Sequence, residues 1–494
     1  MKKLNSLGSI LLKNAAIAML FIAAGCSKVE TVSTTSATTT DGAATVAGNS
    51  GKLSTLSSST YYVSPTGSDS NAGTMASPFA TVQQAQSVAV AGDLIYIRGG
   101  TYNVPSTQMA FTDGLYDCVF YLNKSGTAGA PITYRAYPGE TPVFDFSAIK
   151  PSGLRVTAFF VKGSYIYIKG IEIVGVQVTI TTHTQSECFR NEGSNNIYEA
   201  CKMHDGMANG FYLTKGGNNL VLNCDAYNNW DNVSEDKLGG NVDGFGCHPY
   251  KQGVGYTGNV FRGCRAWFNS DDGFDCINAF EAITYENCWA FNNGYSQSFA
   301  SLGNGNGFKI GGFGTSTTPS VPATIPSHTI RFCLAVGNKA NGFYANHHLT
   351  GNTWYNNTAY KNADNYNMLN RSADYTSDVP GYSHIMKNNL GYKGVYAELI
   401  NINQPLCTLS NNYWQLSLTI SDADFVSVDQ SLLTQGRHSD FTLPTNNFLR
   451  LVSGSDLIDK GVNLGFTFTG ASPDLGCFEF GINKSPIVSN PVIP

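Results

Sequence analysis

Charge is what this chain has least of: Lys, Arg, Asp and Glu make up 13% of its 494 residues, about half the share an ordinary soluble domain carries. That argues against a helical bundle laced by surface ion pairs. The net charge of -5 is too small to argue for nucleic acid or a strongly acidic partner surface. The apolar run from Ala15 to Ala24 is about half the ~20 residues a membrane-spanning helix needs. Histidine is scarce, with 8 residues, and neither His nor Cys recurs at zinc- or copper-ligand spacing. What is plentiful is glycine, 52 residues, and aromatic side chains, 12%, among many Asn, Ser, Thr and Tyr. This is the composition of a long all-β protein with numerous turns.

A search for internal repetition decides the architecture. Gly-Phe occurs at 210/211, 244/245, 273/274, 307/308 and 342/343, and between these runs a second phrase, Cys-x-Ala-x-x-Asn, beginning at Cys224, Cys264, Cys288 and Cys333. The cysteine step is 24 residues from Cys264 to Cys288 but 40 and 45 on either side, so a coil of about two dozen residues carries insertions at some turns. That is a solenoid with loops projecting from certain coils. Strand alternation then puts Phe211, Phe245, Phe274, Phe308 and Phe343 inside, with Leu213, Cys247, Cys276, Ile310 and Ala345 two residues on. Asn229, Asn269, Asn293, Asn338 and Asn362 should form an asparagine ladder in a turn, and the glycine before each Phe fits a tight bend. Of the 12 cysteines, Cys201, Cys224, Cys264, Cys288 and Cys333 share one repeat frame and Cys247 and Cys276 another, as small hydrophobes buried inside a coil would, and that spacing argues against a disulfide framework.

The ends read differently from the middle. Lys2 and Lys3, the apolar run and Ala23-Ala24-Gly25-Cys26 resemble the signal and lipobox of bacterial lipoproteins, which implies export and lipidation at Cys26, with the chain anchored at the outer membrane or cell surface, or in the periplasm. Residues 27–59 form a Ser/Thr-rich tether. The globular part is expected over 60–480 and a loose tail over 481–494. Phe79, Val82, Ala85 and Ala89 follow helical spacing, and with the strand-like run from Leu94 they resemble the N-terminal cap of right-handed parallel β-helix proteins. From Ile385 on the repeat phrase is lost, so irregular final coils and a C-terminal cap are expected, ending in a strand over Asp474 to Glu479.

Two residues before each Phe stand Asn209, Asp243, Asp272, Asn306 and Asn341, read as a surface column. Asp271 and Asp275 flank it. Carboxylates stacked at the ~4.8 Å strand spacing repel by roughly 3 kcal/mol per pair at an effective dielectric of ~20, so a cation should hold them. Oxygen ligands alone suit calcium. Lys309 stands where Asp275 does, one coil on, and an amine beside a bound cation in a partly desolvated groove has its pKa lowered and can act as a base. Lys251, His347 and Arg371 are candidate binding residues that add positive charge along the same groove.

Here the resemblance becomes specific. Asn269-Ser270-Asp271-Asp272-Gly273-Phe274-Asp275, Asn287-Cys288-Trp289-Ala290 and Gly303-Asn304-Gly305-Asn306-Gly307-Phe308-Lys309-Ile310-Gly311-Gly312 are similar to the core motifs of family 9 polysaccharide lyases. The resemblance implies a calcium-dependent, all-β right-handed parallel β-helix enzyme acting on pectic polysaccharide, with long loops at some turns; a monomer is expected. It matches Asp243, Asp271, Asp272 and Asp275 to calcium ligands and Lys309 to the catalytic base. Polygalacturonate cleaved by β-elimination is the expected reaction. Rhamnogalacturonan I is the alternative substrate, and a non-catalytic glycan-binding adhesin or a β-helix hydrolase with paired carboxylic acids are the rival classes.

Overall fold

Short runs of β-branched and aromatic residues pair in parallel with the run one coil earlier, and this repeated pairing builds the protein. The structure, a computed structural model, describes residues 58–482; Cys26, the tether up to residue 57 and the tail from 483 lie outside the described residues. Three sheets form. One has 12 strands, from Thr60–Val63 to Thr408–Ser410, the second 10, from Gly100–Asn103 to Leu390–Tyr392, and the third 11, from Phe111–Asp113 to Ala397–Ile400. Within these sheets every pairing is parallel except that of Phe111–Asp113 with Tyr116–Leu122. The expected helix is Val82–Val88, capped by Thr81, whose side chain accepts from the backbone of Gln84, and it lays Val82 and Ala85 over the first coil.

The third sheet sets the register of the site. Phe211, Phe245, Phe274, Phe308 and Phe343 are Cα partners on successive coils. Their rings stack at 5.0, 4.7 and 5.0 Å from Phe245 to Phe343. Each such contact adds about 1 kcal/mol beyond simple burial. The preceding glycines are required for a different reason from the one expected. Gly244, Gly273 and Gly307 do not have left-handed backbone; a Cβ on Gly273 would lie 2.7 Å from the Gly307 carbonyl and 2.9 Å from Ala290 Cβ. Close approach between chain segments excludes a side chain there, not a bend.

The asparagine ladder is present, with amide to amide bonds of 3.0 Å from Asn229 to Asn269, 3.1 Å to Asn293, 3.0 Å to Asn338 and 2.9 Å to Asn362. Two further ladders, Asn196, Asn219 and Asn259, and Asn357, Asn389 and Asn412, serve other turns. All eleven cysteines among the described residues are free thiols, and Cys224, Cys264 and Cys288 donate weakly to the carbonyl of the preceding coil.

Two expectations for the C-terminal part are corrected. The coils do not lapse at Ile385: Ile385–Lys387, Leu390–Tyr392 and Ala397–Ile400 add strands to all three sheets in regular register. The stretch Asp474 to Glu479 is not a strand. The segment after Asn412 instead folds back along the second sheet, where Leu433, Phe448, Leu457 and Leu475 cover Trp289, Phe291, Leu334 and Tyr360. Arg437 from this segment reaches Asp225 at 2.6 Å, beside Arg265 at 2.8 Å. The aromatic faces of the second sheet need that cover, and it comes from the side, not the end.

The ladder gives a stability prediction. Asn293 bonds to Asn269, Asn338 and the Ala266 carbonyl in full burial. Asn293→Ala should lower unfolding free energy by about 3 kcal/mol, read as a lowered thermal midpoint, whereas the same change at exposed Asn463 should leave it in place.

Candidate active site

The loops that enter three consecutive strands of the third sheet carry the acidic residues. Asp243 precedes Phe245–Cys247, Asp271 and Asp272 precede Phe274–Asp275, and Asn306 precedes Phe308–Lys309. Because the phenylalanines are in register, these approaches are stacked: the Asp272 amide donates to Asp243 Oδ1 at 3.1 Å, and the Asn306 amide to Asp272 Oδ1 at 2.7 Å, joined there by Asn306 Nδ2 at 2.8 Å. The Asn209 side chain does the same for Asp243, accepting its amide at 2.7 Å, and Asp271 Oδ1 accepts from Asn304 N at 2.9 Å.

One carboxylate oxygen from each of Asp243, Asp271 and Asp272 lies within 4.8 Å of the others. The expected surface column is in fact buried, with Asp243, Asp271 and Asp272 no more than 3% exposed. Covering loops close over it: Gly303 lies so near Gly240 and the Ser270 carbonyl that a Cβ on it would clash.

Asp275 and Lys309 are Cα partners on adjacent strands. Lys309 Nζ sits 3.0 Å from Asp275 Oδ2 and 3.0 Å from Asp272 Oδ2. Asp275 therefore joins the cluster through the ammonium, while its Oδ1 accepts from Ile277 N at 2.7 Å. The electrostatics follow. Burial, then Asp275, Asp271 and Asp272, push the Asp243 carboxyl well above the carboxylate range, and burial with Asp272 pushes Asp271 up to about 8. Burial acts to lower the Lys309 pKa, but the carboxylates of Asp272, Asp275, Asp271 and Asp243 outweigh it and hold the lysine well above its ordinary value. This is opposite in sign to the expected fall, because that fall needs a cation to offset these carboxylates.

The donor set tests whether a cation fits. Three buried carboxylates converge with no histidine or cysteine among them, and Asp272 Oδ2 faces the Lys309 ammonium at 3.0 Å. Such a set suits a hard divalent cation that takes oxygen ligands, with Asp243, Asp271 and Asp272 as the holders and Asp275 at the margin.

Comparison with known proteins places the chain in a family. The family described as Pel9A-like, right handed beta helix region matches residues 61–389. This chain belongs to that family. It is 37% identical over 427 residues to pectate lyase L of Dickeya chrysanthemi, covering 85% of this chain and 90% of that one, and 31% identical to pectate lyase PEL9 of Emericella nidulans, covering 80% and 93%. Among solved structures, a rhamnogalacturonan lyase superposes with TM-score 0.79 at 48% identity, covering 81% of this chain and 98% of the other. Pectate lyase Pel9A superposes with TM-score 0.70 at 35% identity, covering 85% and 96%.

Within this Pel9A-like domain the other candidates fare unequally. Lys251 is exposed on a loop, and no hydrogen bond or ion pair involves it among the described residues. His347 and Arg371 come together: His347 Nδ1 and Arg371 Nη1 each lie 2.8 Å from Asp378 Oδ1. Arg371 also donates to the carbonyls of Thr315 at 2.9 Å and Tyr375 at 3.1 Å, so its donors are engaged within the protein. His347 Nε2 is 2.8 Å from the hydroxyl of Tyr344, the Cα partner of Lys309 on the next strand. Sequence reasoning missed Tyr344, Asp378, Asn304 and the clamping role of Asn306. Asp378 sits on an inserted hairpin outside the repeat, which no periodicity points to.

Arg371 gives a discriminating prediction. Arg371→Ala should lower the thermal midpoint and speed proteolysis of the 372–377 turn, with less than about tenfold loss of activity. A large rise in KM with no change in midpoint would instead make Arg371 a sugar contact.

Proposed function

We propose that this protein is a calcium-dependent lyase of pectic polysaccharide, cleaving polygalacturonate by β-elimination. The observation that carries the reading is the position of Lys309 Nζ, 3.0 Å from both Asp272 and Asp275 at the edge of a buried acidic trio. Asp243, Asp271 and Asp272 would hold the calcium ion, with Asp275 beside them. When bound, calcium supplies the positive charge that offsets these carboxylates and the carboxylate of a galacturonate residue.

Lys309, once deprotonated, takes the hydrogen from C5 of that residue as general base. The C5–H pair of electrons forms the C4–C5 double bond, the C4–O4 bond breaks, and O4 leaves with its electrons and gains a proton from solvent. No water is added across the bond, and the product is a 4,5-unsaturated uronate. Asn306 fixes Asp272 from one side, so that the amine and the acidic trio keep their separation. Asp275 orients the amine from the neighbouring strand.

A second reading, a lyase of rhamnogalacturonan I, is favoured by the 48% identity to a rhamnogalacturonan lyase over 81% of this chain. The chemistry at the galacturonate is the same; the neighbouring sugar differs. The sequence at Cys26 supports an exported, lipid-anchored enzyme in either case.

The purified protein with calcium should release ultraviolet-absorbing unsaturated ends from polygalacturonate or rhamnogalacturonan I, and chelation should abolish this. Lys309→Ala should lower kcat by about 10²- to 10⁴-fold, the usual worth of a positioned base, with calcium-dependent thermal stabilisation retained. Reducing ends without ultraviolet absorbance would mean hydrolysis and would exclude the lyase reading. Calcium at a hundredfold excess over its Kd should stabilise the protein by about 2.7 kcal/mol, and Asp272→Asn should remove that increment.

A further inference from the structure

On the far side of Lys309 from Asp275 stands a chain of three hydrogen-bonded side chains. Tyr344 is the Cα partner of Lys309 on the next strand, about 4.8 Å along the sheet, and its side chain is half-buried on the same outer face. The phenol oxygen lies 2.8 Å from His347 Nε2, and His347 Nδ1 lies 2.8 Å from Asp378 Oδ1. Two local features hold the chain in place. Asn346 and His347 both have left-handed backbone, with φ of 51° and 55°, a conformation that residues other than glycine rarely keep unless their surroundings fix it. Asp378 comes from the hairpin that pairs Asn370–Arg371 with Asp378–Val379, and Arg371 Nη1 fixes its carboxylate at 2.8 Å.

The protons of this chain can be followed. A carboxylate accepts, so His347 Nδ1 carries a hydrogen; when Nε2 carries one too, the imidazolium donates to the phenol oxygen and leaves the phenol O–H free to point elsewhere. Burial first, then Asp378, pushes the phenol up to about 12 against the opposing pull of the Lys309 ammonium, so Tyr344 has a proton to give at neutral pH. The amine and the phenol also diverge. Lys309 Nζ is drawn to Asp272 and Asp275 on the preceding coil, whereas the Tyr344 hydroxyl is held to its own coil by His347. A sugar ring lying between them meets the amine on one side and the phenol on the other, as elimination of the C5 hydrogen and O4 from opposite faces of a galacturonate requires.

We propose that Tyr344 is the general acid of the elimination, delivering its hydroxyl proton to O4 of the galacturonate on which Lys309 acts. This rests on the lyase reading above and names the route of the proton that O4 takes up. As the C4–O4 bond breaks, the electron pair left on O4 takes the phenol proton, and the phenolate oxygen takes the hydrogen from His347 Nε2. Solvent then returns a proton to Nε2, while the Nδ1 hydrogen stays on Asp378. Lys309 keeps the C5 hydrogen until it too is lost to solvent. His347 and Asp378 are positioning residues, since they act through Tyr344 without touching the sugar.

The test uses the calcium-loaded protein on two substrates: the pectic polymer that the wild type cleaves, and an oligouronide with fluoride in place of O4, whose leaving group departs without a proton. Tyr344→Phe, which keeps the ring, should lower kcat on the polymer by about 10²- to 10⁴-fold, the usual worth of a positioned acid, and its loss on the fluoride should be at least ~10-fold smaller. Calcium-dependent thermal stabilisation should be retained. His347→Gln, which cannot hold the extra proton, should follow the same pattern to a smaller degree. Equal losses on the two substrates, or an unimpaired Tyr344→Phe, would overturn the assignment. If the wild type does not accept the fluoride, the solvent deuterium isotope effect on kcat decides, because the carbon-bound C5 hydrogen does not exchange and the effect reports the proton given to O4. It should be normal in the wild type and lost in Tyr344→Phe; its persistence in the variant would exclude Tyr344. If the wild type yields no unsaturated product from either polymer, the lyase reading beneath the proposal fails, whereas an active wild type without these differences sinks Tyr344 alone.

Discussion

Stacked phenylalanines fix where every polar group of the site can stand. From Phe245 to Tyr366 successive rings lie about one strand spacing apart in nearly parallel planes, and that spacing is the hydrogen-bonded repeat of the sheet. A slip of one residue on any coil would turn Phe outward and its neighbour inward. At the coil of Phe308 the neighbour is Lys309, so a slip would bury an ammonium in the apolar core. The cost of that error, several kcal/mol, is what pins the lysine opposite Asp275. Register and chemistry are held by the same contacts.

The acidic trio is the destabilising half of this arrangement. Asp243, Asp271 and Asp272 are withdrawn from water and brought within 4.8 Å, where their charges repel. The backbone amides of Asp272, Asn304 and Asn306 and the amine of Lys309 offset part of this. Hydrogen bonds to amides favour the ionised carboxylates, yet Asp243 and Asp271 remain pushed towards protonation. A divalent cation held by the trio would complete what the amides begin, and by offsetting the carboxylates it would release Lys309 from the charges that hold its pKa up. Charge on the acids and basicity of the amine are therefore one linked quantity.

Much of this was legible in the sequence because the repeat is carried by rare, chemically distinct phrases. Gly-Phe and Cys-x-Ala-x-x-Asn gave the inner column, one asparagine ladder and the placement of Asp275 beside Lys309, all from spacing alone. What spacing could not give was depth. The column of Asp243 and Asp272 was expected at the surface, but loops inserted between repeats cover it, and inserted loops have no period. The same limit hid Asp378, which draws His347 and Arg371 together, and the return of the C-terminal segment along Trp289 and Tyr360. Two more asparagine ladders escaped notice because they stand outside the repeated phrase: Asn196, Asn219 and Asn259 lie five residues before Cys201, Cys224 and Cys264, and Asn357, Asn389 and Asn412 take the cysteine's place on later coils.

Glycine shows why one residue type needs separate arguments at separate places. Gly273 and Gly307 are small because neighbouring chain segments come too close for a Cβ. Gly246 is in the outer column, and there a Cβ would meet the rings of His248 and Tyr212 at 2.8 and 2.9 Å, so aromatic side chains and not backbone exclude it. A solenoid makes such differences inexpensive, since each coil contributes a single residue to the outer column and can be altered without moving its neighbours. The sequence of that column, a phenol, a glycine, an acid and an amine from Tyr212 to Lys309, sets four different chemistries on adjoining coils of one sheet, each fixed by the backbone pairing that fixes its neighbours.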